Sequence, residues 1–187
     1  MSEALALLEL DSIAAGFRAA DEAVKRARVD LIESRPLDPG KYMILFRGDV
    51  ASVEAAFRRA LEVAGERLVD RVFLPAVHES VPAALRGERS EGEIDAIGVI
   101  ETAAVASIVR AADAAAKAAP IRFLRIHLAR RIGGKGYLVL TGALSDVEAS
   151  VAAGCEAARR EGNLVSEVVI PAPAAETLAK IEEDWLR

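Results

Sequence analysis

The chain has 187 residues, a formal net charge of −5 and an apolar content of 52%, ample material for the core of one large domain or two small ones. Its single cysteine, Cys155, and two histidines, His78 and His127, exclude an intrachain disulfide and any zinc or iron–sulfur site built from several cysteines of one chain. The acidic balance argues against a general binder of nucleic-acid backbones, no apolar run approaches the ~20 residues that span a bilayer, and the acidic start Met1-Ser2-Glu3 is unlike a secretory signal, so a cytoplasmic globular protein is expected.

In chain order, a short apolar strand over Ala4–Leu10 comes first. A helix follows, with Ile13, Phe17, Ala20, Val24 and Ala27 spaced along one face and Asp11 or Ser12 available as its cap. Strands are expected around Val29–Ser34 and Tyr42–Arg47, joined by the turn-rich Pro36-Leu-Asp-Pro-Gly-Lys41. A second helix carries Val53, Phe57, Ala60 and Ala64, and a last strand over Val69–Leu74 ends at Pro75.

The same order then returns. A strand at Ala96–Glu101 precedes a helix with Val105, Val109, Ala112, Ala116 and Ala119 on one face. Strands at Phe123–His127 and Tyr137–Thr141 flank Arg130-Arg-Ile-Gly-Gly-Lys135. A helix with Val147, Val151, Gly154 and Ala158 leads to a strand over Val165–Ile170. Ala4–Val29 aligns without gaps on Ala96–Ile121, and its charged matches are the telling ones: Glu9/Glu101, Arg18/Arg110, Asp21/Asp113 and Lys25/Lys117. After a short insertion Gly40-Lys41 falls on Gly134-Lys135, Gly48 on Gly142, and Pro75 on Pro171. The chain therefore reads as two copies of one β-α-β-β-α-β domain, 1–88 and 93–187, joined by the polar Arg86–Glu93 stretch. Such a domain is α+β, with two helices on one face of a mainly antiparallel sheet. Leu178, Ile181 and Trp185 in the tail have helical spacing and point to one more docked helix.

Little in the chain points to catalysis. Gly133-Gly-Lys-Gly136 fails as a phosphate loop, because position 129 is Ala and position 136 is Gly where the Walker pattern wants Gly and then Ser or Thr. His127 lies on an alternating strand, as a structural histidine would. Cys155 corresponds to Leu61 on the second helix and reads as a small packing residue. Arg58-Arg59 and Arg159-Arg160 lie beside acidic neighbours on helices, as solvated faces do. No metal-ligand spacing is present, so no metal site is expected, and nothing suggests a nucleic acid or a membrane as partner.

Taken together, Ala96-Ile-Gly-Val-Ile-Glu-Thr102, Ala111-Ala-Asp-Ala-Ala-Ala-Lys-Ala-Ala119, Ile132-Gly-Gly-Lys135 and Val168-Val-Ile-Pro171, with Leu8-Glu9-Leu10, Ala20-Asp-Glu-Ala-Val-Lys-Arg-Ala27 and Pro39-Gly-Lys41 in the first half, resemble the bacterial microcompartment shell domain. Two copies in one chain resemble the tandem-domain, trimer-forming shell proteins, in particular the type found in propanediol-utilisation shells in its unpermuted element order. The resemblance implies a non-catalytic structural protein: a homotrimer forming a flat pseudohexamer that tiles with hexameric and pentameric shell proteins around encapsulated enzymes, with a central pore for small metabolites. Two domains in each of three chains fill six near-equivalent places.

The resemblance also assigns positions. The loops after the second strand of each copy surround the pore, which places Leu37, Asp38, Pro39, Gly40, Arg130, Arg131, Ile132, Gly133 and Gly134 on its rim. Lys25 and Lys117 fall where related domains meet at tile edges; each is equally a helix lysine four residues from Asp21 or Asp113. His78 is what remains of an edge Arg-Pro-His run, and its sister Pro171-Ala-Pro-Ala174 keeps neither the arginine nor the histidine. Asp38 stands where members of the similar type carry a cysteine that can hold an iron–sulfur cluster. A carboxylate is a poor ligand for such a cluster, so no cofactor is expected. Asp38 reads either as part of an alternating acidic and basic rim with Arg130 and Arg131, or as an ordinary turn aspartate before proline. An electron relay and a metabolite-binding regulatory module remain the other readings.

Overall fold

A computed structural model of the chain describes residues 3–88 and 92–182. The first half runs β1 (Ala4–Leu10), α1 (Ile13–Arg26), β2 (Asp30–Leu37), β3 (Lys41–Gly48), α2 (Val50–Ala64), β4 (Leu68–Leu74) and α3 (Ser80–Leu85). The second runs β5 (Ala96–Thr102), α4 (Val105–Ala118), β6 (Arg122–Leu128), β7 (Gly136–Gly142), α5 (Leu144–Arg159), β8 (Leu164–Pro171) and α6 (Ala175–Glu182). Each half forms a four-stranded sheet, ordered β2-β3-β1-β4 and β6-β7-β5-β8, with every pairing antiparallel. The α+β tandem expected from the repeat is the fold observed.

Local chemistry accounts for the helix starts in the first half. Ser12 caps α1 by accepting the Ala15 N–H at 3.3 Å, and Asp49 caps α2 by accepting the Ser52 N–H at 2.9 Å. β1 alternates between two buried faces. Ala4, Ala6, Leu8 and Leu10 join Tyr42, Ile44 and Phe46 of β3 beneath α1 and α2. Leu5 and Leu7 point the other way, with Met43, Leu45 and Val72, into a second core that includes Val105, Ile108 and Val109 of α4. The back of the first sheet is thus covered by the second half of the same chain, which is why β1 is buried at every position.

α1 departs from the expected pattern. Its buried residues are Gly16, Ala19, Ala20 and Ala23, whereas Ile13, Phe17 and Val24 of the apolar stripe face outward, with Phe17 62% exposed. The reason is steric: the Tyr42 ring occupies the space beneath α1, and a Cβ built on Gly16 would lie 2.2 Å from Tyr42 Cδ1. Small residues therefore take the inner face. The matching helix α4 is buried nearly all round, because it has its own sheet on one side and the first sheet on the other.

Helix α3 had no signal in the sequence pattern. Its Val81, Pro82 and Ala84 are buried against β6 and α4 of the other half. The tail forms α6, with Leu178 and Ile181 half-buried; Trp185, expected on the same face, lies outside the described residues, as does the middle of the polar joining stretch, 89–91.

Candidate functional site

The two halves meet along α4 and the back of the first sheet, and polar groups set the register. Glu9, fully buried on β1, accepts the Val105 N–H at 2.8 Å and the Lys41 ammonium at 2.7 Å. It thereby neutralises an orphan donor in the first turn of α4, where negative charge is also favoured by the helix dipole. Burial pushes the Glu9 carboxyl above its usual range, and the Lys41 and Val105 bonds partly offset that. Beside it Asp70 of β4 accepts Ser107 Oγ at 2.6 Å and Asn163 Nδ2 at 3.2 Å, while Asn163 also reaches Ser107 at 2.9 Å. Farther along α4, Arg110 donates to the Arg71 carbonyl, Asp113 accepts the His78 N–H at 2.8 Å, and Lys117 donates to the Ala76 carbonyl at 2.7 Å.

The two loops expected at the rim also meet within one chain. Asp38 Oδ2 accepts the Arg131 N–H at 2.8 Å. The Asp38 carbonyl lies so close to Gly134 that a Cβ there would come within 2.8 Å of it, and Gly134 has φ +83°, so glycine is required on both counts. Ala129 and Arg131 adopt left-handed φ of 55° and 62°, which bends the loop sharply between β6 and β7. The turn Asp38-Pro39-Gly40 closes with the Gly40 N–H on the Leu37 carbonyl at 2.9 Å, leaving Leu37 buried and Asp38, Pro39 and Gly40 exposed. Arg130, Arg131 and Gly133 are also exposed, Ile132 is half-buried and Gly134 is buried. Both nominated loops thus occupy one place on the surface, with the Asp38 carboxylate engaged by the sister loop's backbone rather than standing free.

Of the edge residues, Lys117 and His78 are brought together at the joint between the halves, through Asp113 and Ala76. Lys25 is 65% exposed and, among the described residues, makes the four-residue pair with Asp21, at 2.5 Å. His127 Nε2 lies 2.9 Å from the Arg130 carbonyl, so the ring donates there as a structural histidine, stacked on Tyr137. Cys155 is buried, and burial pushes its thiol up to about 11; it is a packing residue, not a nucleophile. Arg58 and Arg59 pair with Glu54, Glu22 and Glu62, and Arg159 and Arg160 with Glu167 and Glu156. Among the described residues no group of three or more His, Cys, Asp or Glu is placed to hold a metal, and no helix is long and apolar enough to cross a membrane.

The model of the BMC domain family matches the chain twice, over residues 4–77 and 96–173. The chain belongs to the BMC-domain family of bacterial microcompartment shell proteins. It is 42% identical over 173 residues to the bacterial microcompartment shell protein PduT of Citrobacter freundii, covering 92% of this chain and 94% of that one. Among solved structures, a microcompartment protein from Desulfitobacterium hafniense DCB superimposes with a TM-score of 0.86 at 41% identity, covering 96% of this chain and 99% of that one. A fused permuted hexameric shell protein, MSM0275 from the RMM microcompartment, shares the fold alone, with a TM-score of 0.62 at 22% identity over 84% of each chain. The chain is a shell protein with two tandem BMC domains, a structural role in a family whose members assemble with other shell proteins.

Within this shell protein, the sequence reading singled out the two loops expected at a rim and the lysines expected at an edge, but not the polar residues of the joint. Glu9 offered a signal, being a lone carboxylate in an otherwise apolar strand with a repeat partner, Glu101. Asp70, Ser107 and Asn163 offered none, because their sister positions are Ser166, Ala15 and Arg67 and so no repeat marks them.

Proposed function

We propose that this shell protein is a non-catalytic, cofactor-free homotrimer, a pseudohexameric tile with a central opening for small metabolites. The observation that carries this reading is the unequal burial of the two repeat-related helices. α4 is buried between its own sheet and the back of the first sheet, while the outer face of α1 lies open with Ile13 40%, Phe17 62% and Val24 40% exposed. The back of the second sheet is the complementary open surface: Val99, Glu101, Ser166 and Val168 share that face, and Val168 is 45% exposed. One internal joint thus leaves its two unpaired halves at opposite ends of the molecule. That is a head-to-tail interface, and it makes a closed ring when the rotation per step closes. Three chains give six domains.

The repeat supplies the contacts of the outer joint. Glu101, paired with Lys135 at 2.5 Å as Glu9 is with Lys41, corresponds to the capping carboxylate, and Ile13 corresponds to Val105. Lys25 corresponds to Lys117 and would take the neighbouring copy's Ala172 carbonyl, the sister of Ala76. In this reading Lys25, Lys117 and His78 lie toward the tile edge, where other shell proteins attach. Leu37, Asp38, Pro39 and Gly40, with Arg130, Arg131, Ile132, Gly133 and Gly134, surround the opening. The mixed charge of Asp38, Arg130 and Arg131 at one place supports passage of polar or anionic molecules. Solution mass tests the ring: sedimentation should give three chains per particle, and a monomer at concentrations where shell proteins assemble would end this reading.

A further inference from the structure

The repeat gives the chain an inner joint and an outer counterpart, and the two differ in their polar residues. In the inner joint Glu9 and Asp70 stand opposite each other on neighbouring strands. Asn163 brings an amide to them from the second half, 3.2 Å from Asp70 Oδ2 and 2.9 Å from Ser107 Oγ. On the second sheet Glu101 and Ser166 stand opposite each other in the same register. Arg67 occupies the place of Asn163. The Asp11 N–H donates to the Arg67 carbonyl at 2.9 Å, as the Ala103 N–H donates to the Asn163 carbonyl at 2.8 Å. The backbone thus sets both residues at the same point, next to the start of α1 or α4.

Size and charge change together between the joints. Ser166 is smaller than Asp70 and Ala15 smaller than Ser107, whereas Arg67 is much larger than Asn163. Bulk removed at two positions is returned at the third, as close packing requires. Arg67 also brings its own counter-ion, because Asp11 stands where the second half has Ala103. Glu101 with Lys135 from one copy and Arg67 with Asp11 from the next sum to zero charge. Within one chain the Arg67 side chain is 64% exposed, and its Asp11 pair, at 3.7 Å, is longer than a hydrogen bond. That leaves guanidinium donors for a facing acceptor.

We propose that Arg67 fits the chain to its neighbour: in the three-chain ring, on which this inference rests, its guanidinium donates to the neighbouring copy's Ser166 hydroxyl and lies beside that copy's Glu101 carboxylate. The surface it fits is the back of a second copy's second sheet, with a hydroxyl on β8 and a carboxylate opposite it on β5. The joint within the chain is closed by an amide and a hydroxyl on Asp70, and the joint between chains by a guanidinium on Ser166.

Cross-linking tests the placement. Positions 67 and 166 are exposed within one chain and the natural Cys155 is buried, so a short bismaleimide added to full-length Arg67→Cys/Ser166→Cys protein reacts at the two introduced thiols. The expected products have the mass of two and three linked chains, and neither single variant gives them. Unlinked chains from a double variant that sediments as a trimer would overturn the inference and leave the ring standing. Sedimentation equilibrium is the second readout. Arg67→Ala and Arg67→Asn should each weaken association about tenfold per joint, the loss of one charged hydrogen-bonding group. Adding Ala15→Ser and Ser166→Asp to Arg67→Asn rebuilds the inner set across the chain boundary and should restore the trimer. Unchanged association in Arg67→Ala, or a triple variant no tighter than Arg67→Asn alone, would also overturn the inference. A natural protein that stays monomeric overturns the ring and this contact with it.

Discussion

The carboxylate of Glu9 in the first domain accepts the N–H of Val105 in the second at 2.8 Å, so a strand residue of one repeat caps the first helix of the other. It also holds Lys41 at 2.7 Å while fully buried. Removing it with Glu9→Ala leaves a lysine and a helix N-terminus without their partner, which should cost about 3 kcal/mol in denaturant unfolding, as for other broken buried pairs. Glu9→Gln keeps one acceptor oxygen and should cost less. The pH dependence has a definite sign. Glu9 titrates higher in the folded protein than at the ordinary 4.5, so the folded state holds its proton longer. The stability of the natural protein relative to Glu9→Gln should therefore be greatest below 4.5 and decline as pH rises through the folded midpoint, then level off. Parallel urea titrations of the two proteins across acidic and neutral pH check this.

The outward stripe of α1 gives a second prediction. Phe17→Asp should convert the assembly to single chains with little loss of monomer stability, since the ring is 62% exposed within one chain. Val168→Asp, on the open back of the second sheet, should do the same. Phe57→Ala should behave oppositely, because Phe57 is a core residue stacked on Phe73 with centroids 5.6 Å apart. It should lower stability by about 3–5 kcal/mol. Analytical ultracentrifugation with thermal melts separates the two outcomes; a Phe17→Asp protein that still sediments as a trimer would contradict the placement of the interface.

The contrast between α1 and α4 also explains what was readable in the sequence. The strands, the helices of the repeat and the turn loops followed from apolar period and glycine or proline positions, and each appears within a few residues of its expected bounds. Periodicity locates an apolar face but does not say which surface covers it. On α4 the stripe Val105, Val109, Ala112, Ala116 is buried, whereas on α1 the positions Ile13, Phe17 and Val24 are turned from the chain's own core. The alanine and glycine residues of α1 face the bulky Tyr42, and small residues on an inner face leave no hydrophobic signature. α3 escaped for another reason: six residues are too short for a helical period, and its burial depends on the other domain.

A third prediction concerns the part of the joint that the repeat does not share. Asp70, Ser107 and Asn163 bond one another at 2.6–3.2 Å between the halves of one chain. The corresponding outer positions, Ser166, Ala15 and Arg67, cannot form the same set. Asp70→Ala would leave the buried Ser107 hydroxyl without this acceptor and take one partner from the half-buried Asn163 amide, and should cost about 1–2 kcal/mol of folding stability. It should leave the number of chains per particle unchanged, because the network lies wholly within the chain. Unfolding curves and sedimentation on the same variant check both halves of the prediction.

The last prediction concerns the loops. Asp38 Oδ2 accepts the Arg131 N–H at 2.8 Å, and Arg131 holds a left-handed φ of 62° that a non-glycine residue adopts only under constraint. The first repeat thus holds the bend of the second. In Asp38→Ala the Arg131 amide loses its acceptor, and its hydrogen exchange should accelerate about tenfold, the equivalent of one net hydrogen bond. Asp38→Asn, which keeps a carbonyl oxygen in reach, should restore most of the protection. Arg131→Gly removes the side-chain cost of the left-handed backbone and should stabilise the loop by about 1 kcal/mol. Gly134→Ala should do the reverse, because its Cβ would meet the Asp38 carbonyl at 2.8 Å. Exchange mass spectrometry on peptides spanning residues 128–136 reads all four variants. Equal exchange in Asp38→Ala and the natural protein would mean that the bend holds itself and that Asp38 is only a turn residue before Pro39.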